Sequence, residues 1–554
     1  MTHDRVLIRV GWVVIVALVA LAYFNGLQAP FVYDDRIEVV GNATIHNLDE
    51  LRAVLEYNVS RFLLILSYAW NYQVWGTDPL GYHLTSLVIH GLTIGAALNM
   101  AVRVGKLGTH PQPVWTAVLA VGVWGIHPMG TEAVTYITGR SESLCALFVC
   151  LSLACWAGAL LKEREQEGAA KGLRLLTYVV ALLSMGTKEV AGMTPFALFA
   201  LEWFFRSEKR PLRWAWYVPF FAIIALGVTG RALYAEHFIP REVDRPLLVQ
   251  LTTQAEVWLR YIALWAVPRG QTLYHHVPDV LPWTLRGATV IVVFCAVIAG
   301  LYRLVRSNPM VSWALICGAL FLVPSSSVVA LKESMAEHRS YQLGLYLSLA
   351  LAWSVPMVWM RRAAWSMTVV IPVLLALTIG RNNVWSSEVS LWEEATTLHP
   401  EVAEGWYALG DAHRFLGDHE QAAHEYRNAI KRDPKHLDSW NNLGISLAEM
   451  GDESGAKQAW KSALKVRRTY CKAHANLGFL ALESNEIDEA IIELHTTLSY
   501  CPTNRVAHYG LGLIYAEQRR DPKQAVAHFE ELLRLDPSFS RAEEVRQKLL
   551  ELTW

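Results

Sequence analysis

Apolar residues dominate the chain up to about residue 380, in runs of membrane-spanning character, and then give way to short amphipathic periods. The apolar runs fall near 6–24, 84–103, 113–126, 141–161, 173–187, 190–205, 214–231, 284–302, 311–331, 341–359 and 364–380. They predict a polytopic, all-α membrane part, with the runs near 113 and 173 the shortest. The first run has a basic flank and about 18 apolar residues, which fits an uncleaved anchor better than a signal peptide. A further apolar stretch, 251–268, contains Glu256 and Arg260 and is expected to lie at the interface or re-enter rather than cross.

Charge fixes the expected sidedness. Arg5 and Arg9, Arg103 and Lys106, Lys162 and Arg164, the set Arg206, Lys209, Arg210 and Arg213, Arg303 and Arg306, and Arg361 and Arg362 fall in alternate loops. Positive-inside bias makes those loops cytoplasmic, provided 251–268 does not cross. Eleven spans then put the C-terminal part outside, in the periplasm of a bacterial inner-membrane protein or the lumen of the endoplasmic reticulum.

On this topology the remaining polar clusters share the outer face. They are Asp34-Asp35; Tyr82-His83; His127-Pro128 with Glu132, Arg140 and Glu142; Lys188-Glu189; Tyr274-His275-His276; and Glu337-His338-Arg339. Each alone has a plain structural reading. Lys188-Glu189 reads as a salt-bridged anchor, Glu142 as a helix-end cap and His83 as a packed or capping residue. Ionised groups beside a bilayer are costly, however, and six clusters on one face read as an active site or substrate vestibule.

After residue 403 a different period takes over. Leu409-Gly410, Leu443-Gly444, Leu477-Gly478 and Leu511-Gly512 recur every 34 residues. In register stand Trp406, Trp440, His474 and His508; Ala422, Ala456, Ala490 and, after a one-residue insertion, Ala525; and Pro434, Pro502 and Pro537. This is the tetratricopeptide pattern, in which small residues permit close helix crossing and Pro stops the second helix. The domains are therefore 1–380, a membrane domain; 381–402, a linking half-repeat helix expected to dock the array; 403–538, four repeats; and 539–554, a capping helix. Asn442 and Asn476 occupy equivalent groove positions and can bond an acceptor peptide backbone, or are simply solvated. Cys471 and Cys501 start and follow the two helices of one repeat, so a disulfide is geometrically open if the repeats lie outside.

Composition adds exclusions. The apolar share is 53% and the charged share 18%, and the net charge of -1 gives no case for nucleic acid. The cysteines of the membrane half read as small buried hydrophobes, and no Cys/His metal spacing occurs.

The ordered series FVYDDRIEVVGNATIHN, GIHPMGTEAVTYITGRSESL, MGTKE, a Tyr-His-His loop and EHRSY, followed by tetratricopeptide repeats, resembles the transmembrane-and-tetratricopeptide-repeat O-mannosyltransferases and their bacterial relatives. More distantly it is similar to protein O-mannosyltransferases of the GT-C fold. The resemblance implies transfer of a sugar, typically mannose, from a polyprenyl-phosphate carrier to Ser or Thr hydroxyls, with Asp34-Asp35 matching the family's acidic pair.

The chemistry of the residues points the same way. An alcohol attacking an anomeric carbon loses a proton, which a carboxylate can take; we assign Asp34 as the base and Asp35 to orienting the acceptor, a division that residue type and spacing leave open. The departing lipid phosphate needs cations, and Arg140, Lys188, His275, His276 and Arg339 are the candidates. His83, His127, Glu132, Glu142, Glu189, Glu337 and His338 are supporting residues. A base opposite the leaving group predicts inversion. Holding a divalent cation is the alternative role for the pair; the expectation is no metal and no cofactor. Competing readings are a lipid-linked oligosaccharide ligase and a non-enzymatic membrane-anchored scaffold for envelope assembly. A transporter would place charges mid-membrane.

Overall fold

The structure is a computed structural model that describes residues 2–46, 48, 51–165, 170–206, 212, 214–233, 245–327, 329–537 and 539–553. Lys209, Arg210 and Arg213 of the basic-loop series lie outside them, as does the side chain of Arg306. Among the described residues the chain is helical with no strand, and it divides into two units, Met1–Leu391 and Trp392–Trp554.

In the first unit each of the eleven apolar runs is helical. Among the described residues five helices are long and apolar enough to cross a membrane: Asp4–Gln28, Pro79–Leu107, Arg140–Arg164, Leu285–Arg303 and Met357–Val384. Pro113–Gly125 and Pro309–Leu322 are apolar but shorter. Ala170–Met185, Thr194–Phe205, Val218–Leu233 and Tyr341–Ser354 complete the set. The shortening has local causes. The run 190–205 opens with a 3-10 turn, Glu189–Met193, and the run 311–331 leaves its helix at Leu322, just before Pro324.

Polar contacts sort the loops into two ends. At one end Lys106 pairs with Asp4, Arg164 donates to the Leu107 and Phe205 carbonyls, and Asn308 donates to Trp353 O. The described residues of the basic loops named above gather at this end. At the other end lie Asp34-Asp35 and its partners. The helix Leu247–Ala266 runs alongside segment 327–340 at that second end. Gln250 donates to Ser327 O, Gln254 to Ser334 O, Tyr261 to Ala336 O and Trp265 to Ser340 Oγ. Both of its termini touch the same end, so it lies across the bundle rather than through it. Glu256 is held there by Arg260 and Arg286.

Residues 381–384 continue the last helix of the first unit, and the connecting helix is Glu388–Leu398. The second unit then repeats a helix pair: Ala403–Phe415 with His419–Arg432, Leu437–Glu449 with Glu453–Val466, Cys471–Glu483 with Ile487–Tyr500, and Arg505–Leu513 with Pro522–Leu535. The Leu-Gly period has a steric cause. A Cβ on Gly410, Gly444, Gly478 or Gly512 would meet Tyr426, Trp460, Leu494 or Phe529 at 2.7, 2.4, 2.8 or 2.4 Å. The large side chain of each second helix thus fills the hollow its glycine leaves. A second period is polar. The rings of Trp406, Trp440, His474 and His508 each bond the carbonyl six residues earlier, at Pro400, Pro434, Arg468 and Pro502. These positions serve as turn locks as well as packing. The final helix, Ala542–Thr553, buries Val545 beside Phe529 and Tyr509.

Candidate active site

The acidic pair sits on a constrained turn. Tyr33 has a φ of 50°, a left-handed conformation that costs a non-glycine residue about 1–3 kcal/mol. Its hydroxyl donates to Glu333 Oε1 at 3.0 Å, which ties the turn to a loop 300 residues away.

The two carboxylates meet different surroundings. Asp35 is buried; its Oδ1 accepts from Thr138 N at 2.8 Å and Thr138 Oγ1 at 2.6 Å, and its Oδ2 accepts from Val32 N at 3.3 Å. Burial pushes its carboxyl up to about 7 against these hydrogen bonds. Asp34 is half-buried. Its N–H donates to the Tyr136 hydroxyl at 3.3 Å, and that hydroxyl also bonds its carboxyl. Burial raises the Asp34 carboxyl above the usual range, with Glu333 and Glu38 adding to it and Tyr136 and Arg61 opposing. The acceptor-orienting role expected of Asp35 therefore does not fit. Its oxygens are occupied within the fold by Thr138 and Val32.

Around Asp34 several of the expected clusters converge. His338 Nδ1 lies 2.6 Å from Glu132 Oε1, and its backbone N–H donates to Glu132 Oε2 at 2.9 Å. Burial pushes Glu132 up to about 8 and His338 down to about 3, and both shifts favour the neutral forms of the pair. Glu337 accepts from Thr272 N at 2.7 Å, Gln271 Nε2 at 2.9 Å and the His275 ring at 2.9 Å. Burial alone would raise Glu337, but His275 and Arg381 outweigh it and hold the carboxyl low. Arg339 donates to Glu333 O at 2.8 Å, and half-buried His276 follows His275 on its loop. Lys188 pairs with Glu142 at 2.7 Å, and Glu189 pairs with Arg61 at 3.2 Å. Glu189 is held down to about 2 because Arg61 and Ser60 outweigh its burial. Lys188 and Glu189 are thus each salt-bridged, but not to one another.

Three expected site residues are structural in their contacts. Arg140 is fully buried and donates to Ser86 Oγ, Ser67 Oγ, Asn71 Oδ1 and Tyr82 O, between the Tyr68 and Tyr82 rings. A guanidinium so occupied has no reach to a donor phosphate, which corrects that expectation. His83 donates from Nε2 to Ala29 O at 2.8 Å, and His127 caps Met129 N while stacking on Trp265. In the repeats, Asn442 Nδ2 donates to Asp411 Oδ1 at 2.8 Å and Asn476 Nδ2 to Asn441 Oδ1 at 2.9 Å. Both amides join neighbouring repeats to each other, where a peptide-backbone ladder or mere solvation was expected.

The sequence reading missed Tyr136, Thr138, Glu333, Arg61 and Arg381. Tyr136 and Thr138 stand inside the quoted GIHPMGTEAVTYITGRSESL segment, and Glu333 is four residues before Glu337. Proximity to motif residues was the available signal. Beside this end, a cavity of about 380 Å³ is lined by Leu248, Leu251, Trp258, Ile291 and Phe294, with Ser326 at its border.

Fold and site together define a helical membrane protein with a buried acid–histidine cluster, joined to tetratricopeptide repeats. A tetratricopeptide-repeat profile matches residues 407–464 and 475–538. The chain matches the transmembrane-and-tetratricopeptide-repeat proteins named O-mannosyl-transferases. It is 24% identical to "Protein O-mannosyl-transferase F38B6.6" of Caenorhabditis elegans over 76% of this chain and 63% of that protein. It is 31% identical to "Protein O-mannosyl-transferase Tmtc1" of Drosophila melanogaster over 32% of this chain and 20% of that protein. The chain thus spans less than two thirds of the length of these relatives. Among solved structures, "Crystal structure of MamA" is 21% identical, covering 28% of this chain and 89% of its own, with a TM-score of 0.25.

Proposed function

We propose that the protein is an integral-membrane glycosyltransferase that moves a sugar, mannose by analogy with its relatives' names, from a polyprenyl phosphate to Ser or Thr hydroxyls of a polypeptide held by the repeats. The observation that carries this reading is the half-exposed Asp34 on its constrained turn, beside Tyr136 and close to Glu333 and Arg61. A carboxyl raised by burial is a better match to the proton it must accept than an ordinary one, and positioned bases contribute about 10²–10⁴-fold. As the hydroxyl oxygen bonds to the anomeric carbon, its proton passes to Asp34 and the carbon–oxygen bond to the phosphate breaks. Displacement from the opposite side inverts the anomeric centre. Arg339 and His276 are the hydrogen-bond donors we assign to the departing phosphate, while His275 and Lys188 are held by Glu337 and Glu142. No metal or other cofactor enters this mechanism.

The apolar cavity beside Trp258 supports a lipid carrier, because it offers an isoprenoid chain an apolar slot at the end of the bundle where the site lies. We place the repeats on the non-cytoplasmic side, in the periplasm or the lumen of the endoplasmic reticulum. The bond between Cys471 and Cys501, with Cα atoms 6.3 Å apart, supports that side because disulfides persist in oxidising compartments.

The test is transfer by purified protein from labelled polyprenyl-phosphate sugars, with intact-mass analysis of exported proteins in cells with and without the chain. Additions of one hexose sustain the proposal. A large glycan makes the protein a ligase, and no change in mass makes it a scaffold.

A further inference from the structure

The last helix of the first unit ends at Val384 and the connecting helix begins at Glu388. The residues around this joint grip the carboxylate turn from several directions. The Trp385 ring stacks on Tyr136 with centroids 5.4 Å apart and planes 22° apart, and both rings are buried. Tyr136 is the residue whose hydroxyl meets Asp34. Glu388 pairs with the guanidinium of Arg36, two residues beyond Asp34, and its side chain is 14% exposed. Just before the joint, Asn382 accepts from Thr135 Oγ1 at 2.7 Å and donates to Ala22 O at 2.9 Å, while Asn25 donates to Asn383 Oδ1 at 2.7 Å. The joint therefore touches chain before, beside and after the acidic pair.

Such a grip answers a local need. The turn carries Tyr33 at positive φ and runs at once into a single π-helical turn, Arg36–Val40, both costly conformations that persist only when their surroundings hold them. We propose that Trp385 and Glu388 are positioning residues for the Asp34 carboxylate: the connector into the repeats is a clamp on the site, acting through Tyr136 and Arg36. The proposal rests on Asp34 being the base. Misplacing a reacting group by about 1 Å costs about 10²-fold, so a loosened clamp is expected to lower turnover without weakening donor binding.

The experiment compares full-length wild type, Trp385→Leu, Glu388→Gln and the charge swap Arg36→Glu with Glu388→Arg. Hydrogen exchange at the amides of Asp35 to Gly41 is read first, because it needs no activity. Exchange is expected to quicken about tenfold or more in Trp385→Leu and Glu388→Gln, and to return towards wild type in the swap, with Arg140–Arg164 unchanged. In transfer assays kcat is expected to fall about tenfold or more in both single variants while donor KM stays within about twofold, with recovery in the swap. Unchanged exchange in Glu388→Gln, a swap that exchanges as fast as that variant, or quickened exchange with undiminished kcat overturns the proposal. A wild-type protein that transfers no sugar defeats the functional reading instead, and the exchange data still decide whether the clamp exists.

Discussion

Asp35 and Thr138 lie 103 residues apart, and the aspartate accepts both the backbone N–H and the hydroxyl of the threonine. The adjacent Asp34 is only half-buried, with its carboxyl on the Tyr136 hydroxyl, so substituting the two aspartates separates chemistry from structure. Asp34→Asn is expected to abolish transfer while the protein still inserts and melts as wild type. Asp35→Ala is expected to lower thermal stability, since it leaves buried donors unpaired at about 1–3 kcal/mol each. The pH dependence has a definite sign. Asp35 binds its proton more tightly when folded, its carboxyl moving from 3.8 to about 7. Its contribution to stability is therefore full below about 4 and is lost as pH rises through 7. Melting temperature against pH for wild type and Asp35→Ala checks this; the same slope in both would refute it.

Burial favours the neutral forms of both Glu132 and His338, so an amide is expected to replace the carboxyl. Glutamine can donate to His338 Nδ1 and accept the His338 N–H as protonated Glu132 does. Glu132→Gln is expected to melt within a degree or two of wild type near pH 6, while Glu132→Ala melts clearly lower. Because Glu132 rises to about 8 from 4.5, its stabilisation fades as pH climbs through 8, and the Gln variant should lack that decline. Thermal melts across this range measure both effects.

Arg140 is expected to act on folding rather than on the donor. Arg140→Ala leaves several buried acceptors without a donor, each costing about 1–3 kcal/mol. It should reduce yield and melting temperature sharply. Whatever folded protein remains should show a donor KM close to wild type. A variant that melts normally but binds donor phosphate poorly would restore Arg140 to the site.

The sequence revealed the acidic pair, the repeat period and the convergence of Glu132, His338 and Glu337 because each shows in residue type and spacing. It did not separate Asp34 from Asp35, since that depends on Thr138, which only tertiary packing brings near. Arg140 looked functional for the reason it is buried: a charge at a span end is costly, and here neutral acceptors and two tyrosine rings meet that cost. The helices of the runs 190–205 and 311–331 are shorter than those runs. Apolarity continues through the 3-10 turn at Glu189–Met193, and hydropathy does not register backbone geometry.

The repeats offer a coupled test in which two changes offset one another. A Cβ at Gly444 would stand 2.4 Å from Trp460 Nε1, and that nitrogen donates to Asn441 O at 3.0 Å, so the indole is pinned and cannot yield. Gly444→Ala alone is expected to destabilise the second unit by about 1–3 kcal/mol through overpacking. Trp460→Leu alone removes buried ring area and is expected to cost a similar amount or more. Leucine at 460 is smaller than the indole and has no N–H pinned to Asn441 O, so it can yield to the alanine methyl where the indole cannot. The double variant should then be more stable than the sum of the single losses, by about 1 kcal/mol or more of coupling. Protease resistance of the repeats in the full-length protein, titrated against urea, measures all four members of the cycle. Strict additivity would mean that the glycine period has a cause other than the large side chain opposite it.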